Sequence, residues 1–268
     1  MMTIEGEKAK ALGKFLTSEN YFSKENNINF MGSSQFKSFL SCEASALAEL
    51  TGEFPREETT ALLVGSYVDA HFEGTLDIFV AKHPELFKKT GDRGLLKDYA
   101  KADEIIQRIE RDEMFMKYMA GDSQVIMTGE IAGVPFKIKI DSYHEGKAIV
   151  DLKCMRDFEP QWDNGVKKNF IDYWRYDIQA GIYQEIVRQN TGKKLPFIIA
   201  AATKEKATNI GLFEIPQDVL DMALMEVVDK VPRFDAIKRG EVEPERCGDC
   251  DYCRFTKKLT GFINYREM

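Results

Sequence analysis

From residue 124 to residue 154 the chain changes texture, and this stretch constrains the fold more than any other. Residues 124–130 lead to Ala132-Gly133. Residues 136–141 then alternate as Phe-Lys-Ile-Lys-Ile-Asp, Glu145-Gly146 marks a second turn, and residues 148–154 form a third apolar run. Period-two alternation between turn residues predicts a meander of three short strands. Such a sheet needs cover for its apolar faces, and the flanks supply it. Residues 36–50 carry apolar side chains at helical spacing, with Ser33 or Ser34 placed to cap them. Residues 57–80 show a stripe of Ala61, Leu62, Val64, Val68, Phe72 and Leu76, and residues 97–119 one of Ile105, Ile106, Ile109, Phe115 and Met116. After the meander, residues 173–189 and 218–239 read as helices, and residues 195–202 and 211–215 as strands. The order predicts a single α/β domain over residues 31–268, behind an irregular polar arm at residues 1–30.

Three acids fall near strand ends in the meander: Glu130, Asp141 and Asp151. Neighbouring strands lie about 4.8 Å apart, so such acids can converge. Residues i and i+2 share a strand face, so Asp151 and Lys153 project together while Val150 and Leu152 turn to the core. Clustered carboxylates repel unless a cation joins them, and oxygen donors of this kind suit Mg²⁺ or Mn²⁺. A lysine beside such a metal can orient water or offset phosphate charge. The chemistry is metal-assisted phosphodiester hydrolysis.

The motif Asp141…Asp151-Leu-Lys153 resembles the PD-(D/E)XK nuclease signature, with Asp in place of the usual Glu. Gly65-Ser-Tyr-Val-Asp-Ala-His71 resembles the histidine-bearing helix of the RecB-like and RecE-like branch, and Gln179-Ala-Gly-Ile-Tyr183 its downstream helix. Met31-Gly-Ser-Ser-Gln-Phe-Lys-Ser-Phe-Leu matches its opening helix. The resemblance spans roughly residues 30–256 and is nearest to the phage RecE-type exonucleases (exonuclease VIII type), relatives of lambda exonuclease. It implies a restriction-endonuclease-like core with a central mixed β-sheet flanked by helices. It further implies a Mg²⁺-dependent exonuclease that degrades one strand of linear double-stranded DNA, 5′ to 3′, from the duplex end. A homo-oligomeric ring, a RecT-like single-strand annealing partner and a place in DNA recombination follow from the same resemblance. Carried over residue by residue, Asp141, Asp151, Glu130 and His71 would hold metal, Lys153 would be catalytic, and Gln179 and Tyr183 would arrange phosphate or water. The rival readings are a RecB-like helicase-associated nuclease or endonuclease, and a catalytically silent DNA-binding module.

Cys247, Cys250 and Cys253 follow a C-x2-C-x2-C spacing, and Cys42 is a candidate fourth ligand. Some RecB-like nucleases pair one early cysteine with three late ones around a [4Fe–4S] cluster; here the last spacing is tighter. The spacing is compatible with Zn²⁺, a cluster or reduced thiols. Residues 1–10 lack an apolar signal core and no stretch reaches membrane-spanning length, so the reading is a cytoplasmic protein without a membrane partner, and the phage resemblance implies a bacterial host cell.

The net charge of −7 argues against a protein that holds DNA by overall positive charge. The excess is uneven, however: −6 lies in residues 1–150, residues 151–200 are net +1, and residues 201–268 are net −2. DNA contacts must then be local. Candidates are Lys37, Arg156, Lys167, Lys168, Arg175, Lys204 and Lys206, with Ser33 and Ser34 at a helix N-terminus.

Overall fold

Strand β1 (Asp122–Ile131) reverses through Ala132 and Gly133, both at positive φ (50° and 79°), into antiparallel β2 (Val134–His144). Two left-handed positions suit the twist of a tight hairpin, and glycine meets the second without strain. The coordinates, a computed structural model, describe residues 13, 15–55, 57–89, 94–97, 99–163, 165–262, 264 and 266. β2 runs antiparallel to β3 (Ala148–Met155). β3 pairs in parallel with β6 (Phe197–Thr203), and β6 pairs antiparallel with β7 (Ile210–Glu214). The result is a five-stranded mixed sheet in the order β1-β2-β3-β6-β7. β6 is buried along its whole length and reads as an unbroken apolar run because helices cover both of its faces.

Helices α1 (Lys24–Asn29), α2 (Ser33–Ser41), α3 (Glu43–Thr51), α4 (Thr60–Phe72), α5 (Leu76–Lys82), α6 (Ala100–Glu110) and α7 (Glu113–Met119) precede the sheet. A small hairpin of β4 (Gln161–Asp163) and β5 (Val166–Lys168) follows β3. Then come α8 (Phe170–Tyr173), α9 (Tyr176–Thr191), α10 (Gln217–Lys238) and α11 (Asp251–Phe255). One sheet face packs on α2, α9 and α10, burying Ile138, Ile149, Ile182, Val227 and Phe234 among others. The opposite face packs on α4 and α6, burying Val150, Leu152, Val68 and Ile105. This is the predicted α/β architecture, a mixed sheet with helical flanks.

Three long helical expectations break in two. Residues 36–50 divide at Cys42, whose extended backbone (φ −165°, ψ 111°) ends α2. Residues 57–80 divide after Glu73 at Gly74 (φ 72°), and residues 97–119 divide at Asp112, whose side chain caps α7. Neither Ser33 nor Ser34 caps α2. Met31 is drawn into a parallel bridge with Phe136, so the chain stays extended until Gly32, the N-cap residue, and Ser33 is already helical. The stretch read as an irregular arm contains α1, with Tyr21 and Phe30 buried and Asn27 Oδ1 accepting from Lys137 Nζ at 2.7 Å. Residues 1–12 and 14 of that stretch lie outside the described residues.

Candidate active site

The ladder between β2 and β3 covers only Ser142↔Val150, Tyr143↔Ile149 and His144↔Ala148, whereas β3 stays paired with β6 as far as Met155. Past Ser142 the strands part. In the opening, Asp141 Oδ2 accepts from the Leu152 N–H at 2.8 Å, where a ladder carbonyl would otherwise stand. Asp151 is buried beside it. Gln179 Nε2 on α9 donates to Asp151 Oδ1 at 2.6 Å, and Lys153 Nζ forms an ion pair with Oδ2. The predicted trio of Asp141, Asp151 and Lys153 is therefore assembled.

Helix α4 brings further acids. Asp69 and Glu73, at i and i+4 on one helical face, line a cleft shared with Gln124, Asp141 and Leu152. Asp69 Oδ1 is buried without a hydrogen-bond partner. Burial first, and repulsion from Asp141 second, hold the Asp69 carboxyl well above its usual range. Burial, then repulsion from Asp151, raises Asp141 to about 7 against the pull of Lys153. Burial disfavours the Lys153 charge, but Asp151 and Asp141 outweigh it and hold the ammonium above its ordinary pKa. Two lysines face these four carboxylates, Lys153 at Asp151 and Lys139 at Glu73 (3.5 Å), and the orphaned Asp69 oxygen among oxygen donors fits a divalent cation.

Two expected ligands stand elsewhere. His71 lies two residues past Asp69, so the helical phase turns it away; its Nε2 pairs with Glu110 Oε1 on α6 at 2.9 Å. Glu130 pairs in register with Pro135 beside the hairpin turn. Because β1 and β2 are antiparallel, the end of β1 and the end of β2 lie at opposite ends of the hairpin, which separates Glu130 from Asp141. Glu130 is instead braced through its backbone, which exchanges two bonds with the Gln189 side chain (3.0 and 2.7 Å). Asp69 and Glu73 are what the sequence reading missed. Their signal was an acid pair at helical spacing beside the apolar residues Val64 and Val68.

Gln179 reaches the site by holding Asp151. Tyr183 sits one turn on, buried, with its hydroxyl donating to the Lys139 carbonyl at 3.0 Å. Lys37 lies close by. Its amine reaches the Trp174 carbonyl at 3.3 Å and stands 5.1 Å from the Tyr176 ring centre, while Lys153 stands 5.6 Å from the same ring. Burial, then repulsion from Lys153, lowers Lys37 to about 8. The other proposed DNA contacts are more scattered. Arg156 pairs with Asp157, Lys168 with Asp163, and Arg175 with both Asp177 and Glu226. Lys204 donates to the Ala61 carbonyl, the Lys206 carbonyl accepts from Lys101, Lys167 is exposed, Ser34 is exposed and Ser33 is buried.

A second cluster joins the two ends of the chain. The Sγ atoms of Cys42, Cys247, Cys250 and Cys253 all lie within 4.8 Å of one another. Cys42–Cys253 is 3.6 Å and Cys247–Cys253 is 3.9 Å. Backbone N–H groups of Cys250 and Cys253 point at the sulfurs of Cys247 and Cys250. Such donors, from Cys250 and then Asp249, lower Cys247 to about 6 and favour its thiolate. Tetrahedral Zn–S bonds of about 2.3 Å place sulfurs about 3.8 Å apart, which the two shortest pairs match. The fifth cysteine, Cys154, is a separate buried thiol, and burial pushes its pKa up.

Residues 32–256 match the model of a family described as a PDDEXK-like domain of unknown function (DUF3799). No curated protein matches the chain. A crystal structure of a candidate exonuclease from Eubacterium rectale is similar throughout. It shares 48% identity at a TM-score of 0.89, over 94% of this chain and 97% of that one.

Proposed function

The chain belongs to this family of PDDEXK-like domains, and on that premise we propose that it is a Mg²⁺-dependent exodeoxyribonuclease of the RecE-like type, degrading one strand of linear duplex DNA from the 5′ end. The observation that carries the reading is the meeting of Asp141, Asp151 and Lys153 at the splayed end of β2 and β3. The solved relative's description as a candidate exonuclease supports the choice among nucleases.

Asp141 and Asp151, with Asp69 and Glu73 beside them, are the residues that would hold Mg²⁺ or Mn²⁺. When bound, such an ion supplies a water of lowered pKa and stabilises charge on a phosphoryl oxygen. The chain's own groups supply the rest. Lys153 remains charged and presents a compact ammonium to a phosphate oxygen or to the attacking water. Gln179 fixes the rotamer of Asp151, so its carboxylate is oriented before substrate arrives. Lys37, close enough to Lys153 to be lowered by it, adds a second cation near the site.

The partners follow the same reading: duplex ends as substrate, a homo-oligomeric ring around DNA, and a RecT-like single-strand annealing protein. Among the described residues no helix is long and apolar enough to cross a membrane. At the four thiols the spacing favours one tetrahedral Zn²⁺ over a [4Fe–4S] cluster, which must fit its cubane between the sulfurs and needs them farther apart.

The test is incubation with linear and closed circular duplex DNA, with and without Mg²⁺. Degradation of the linear form alone, only with metal, is the expected result. Nicking or cutting of the circle would move the reading to an endonuclease, and no degradation of either form would favour a silent DNA-binding module.

A further inference from the structure

The chain has two tryptophans, and both stand in solvent: Trp162 is 71% exposed and Trp174 is 53% exposed. Large aromatic rings are usually covered, so two uncovered rings in one region call for a partner. Both belong to the segment that links the catalytic strand to the helix carrying Gln179. β3 carries Asp151 and Lys153, and residues 156–160 then lead to the β4–β5 hairpin. The hairpin packs against α8, and Trp174 is the residue that ends α8.

The mounting is firm. Phe170 of α8 packs against Phe158 and Phe213 at ring distances of 5.3 and 5.0 Å, which ties the platform to the core. Gly165 (φ 81°) takes a left-handed position at the hairpin tip. In the hairpin register Trp162 stands opposite Lys167, so ring and ammonium share one face. Asp163 is occupied by Lys168 at 2.7 Å and Asp157 by Arg156 at 2.6 Å, so two of the nearby acids already face bases of the chain. Trp174 is tied to the site through Lys37, whose amine reaches the Trp174 carbonyl and shares the Tyr176 ring with Lys153.

We propose that Trp162 and Trp174 form a stacking platform for unpaired bases of a DNA strand at the mouth of the catalytic cleft. The inference rests on the nuclease reading and names how a strand is held there. A flat π-face accepts every base, whereas an exposed cation serves the neighbouring phosphate, so a ring paired with Lys167 suits single-stranded nucleic acid of any sequence. Rings on the segment that joins the two site-bearing elements would hold a frayed end open and favour substrates with unpaired terminal bases over blunt ones.

Because there are no other tryptophans, their emission reports on this platform directly. The full-length protein is titrated in EDTA, so that nothing is cleaved, with oligothymidylate, an abasic phosphodiester oligomer of equal length, and blunt duplex. Saturable quenching by oligothymidylate and little by the abasic oligomer is expected. Trp162→Ala and Trp174→Ala should each weaken oligothymidylate binding about tenfold, while Trp162→Phe and Trp174→Phe restore most of it. Both sites are on the surface, and an unchanged circular dichroism spectrum and Tm verify that each variant is folded. Equal responses to base-bearing and abasic oligomers, or no quenching by either, overturn the proposal. Quenching that instead depends on protein concentration would assign the rings to contact between copies of the chain. Loss of Mg²⁺-dependent degradation in Asp151→Asn tests the nuclease reading separately, so either idea can fail while the other stands.

Discussion

The carboxylate cleft and the thiol cluster are both groups of metal-ligand residues, yet they are built on opposite plans. At the cleft the strand acids already have business with the protein. Asp141 holds the Leu152 amide, and Asp151 is held by Gln179 and Lys153, while Asp69 keeps an oxygen without a partner. Asp141 and Asp151 are thus oriented in advance, and the proposed metal would find a carboxylate oxygen unclaimed. At the cluster four thiols turn on one point, and two of them, Cys42 and Cys253, are buried. Four protein ligands fill a tetrahedron and leave no position for a substrate. On the proposed reading the difference separates a site that reacts from a site that holds, since catalytic metal sites keep a vacancy and structural ones close it.

The comparison can be broken most directly at Asp151. Asp151→Asn should lower Mg²⁺-dependent degradation of linear duplex about 10³-fold or more with Tm nearly unchanged, and Lys153→Ala about 10²–10³-fold. Retained activity in either variant would unseat the cleft as the reactive site. The same assay on Asp69→Asn should show a loss of about 10–100-fold, whereas His71→Ala and Glu130→Gln should stay within about threefold. The reverse ranking would restore the ligands that motif spacing suggested.

At the cluster the contrast should invert. Cys42→Ser should cost a few kcal/mol of stability, at roughly 2–4 °C of Tm per kcal/mol for a chain of this size, while activity per folded molecule below the transition stays close to wild type. Elemental analysis of the purified protein should give one zinc per chain; iron with acid-labile sulfide would identify a cluster instead.

The smallest effect is a pH slope. Burial and then Asp151 raise Asp141 from 3.8 to about 7, so the metal-free fold binds that proton more tightly than the unfolded chain does. Its contribution is complete below the unfolded value and is lost as pH rises toward 7. Tm measured in EDTA should therefore fall between about pH 4 and 7, and Asp141→Asn should flatten that fall. Addition of Mg²⁺ should offset it at neutral pH.

Much of this was legible in the chain. Alternation located the meander, and Asp-Leu-Lys located one face of β3. The C-x2-C-x2-C spacing identified three of the clustered thiols and made Cys42 a candidate for the fourth. What spacing could not supply was phase and direction. His71 and Asp69 differ by two residues on a helix, and only the packing of α4 on the sheet decides which faces Asp141. Glu130 and Asp141 both lie toward the C-terminal ends of their strands, but antiparallel pairing sends those ends apart. The helix breaks at Cys42 and Asp112 carry neither Gly nor Pro, so periodicity ran through them. The β4–β5 hairpin had its signal in Asn164-Gly165, a turn pair between two short runs, yet strands of three residues are too brief for alternation to reveal.

The thiol cluster also bears on how the protein is made. Cys42 and Cys253 are separated by 211 residues, and the catalytic strand and the sheet lie wholly between them. A chain emerging from the ribosome N-terminus first displays Cys42 early and must wait for nearly all of its length before the partners arrive. The closing of the loop is therefore a late event in biogenesis. A truncated product would carry Asp141, Asp151 and Lys153 but lack the clasp, leaving an unfinished nuclease that folds loosely and is open to proteolysis.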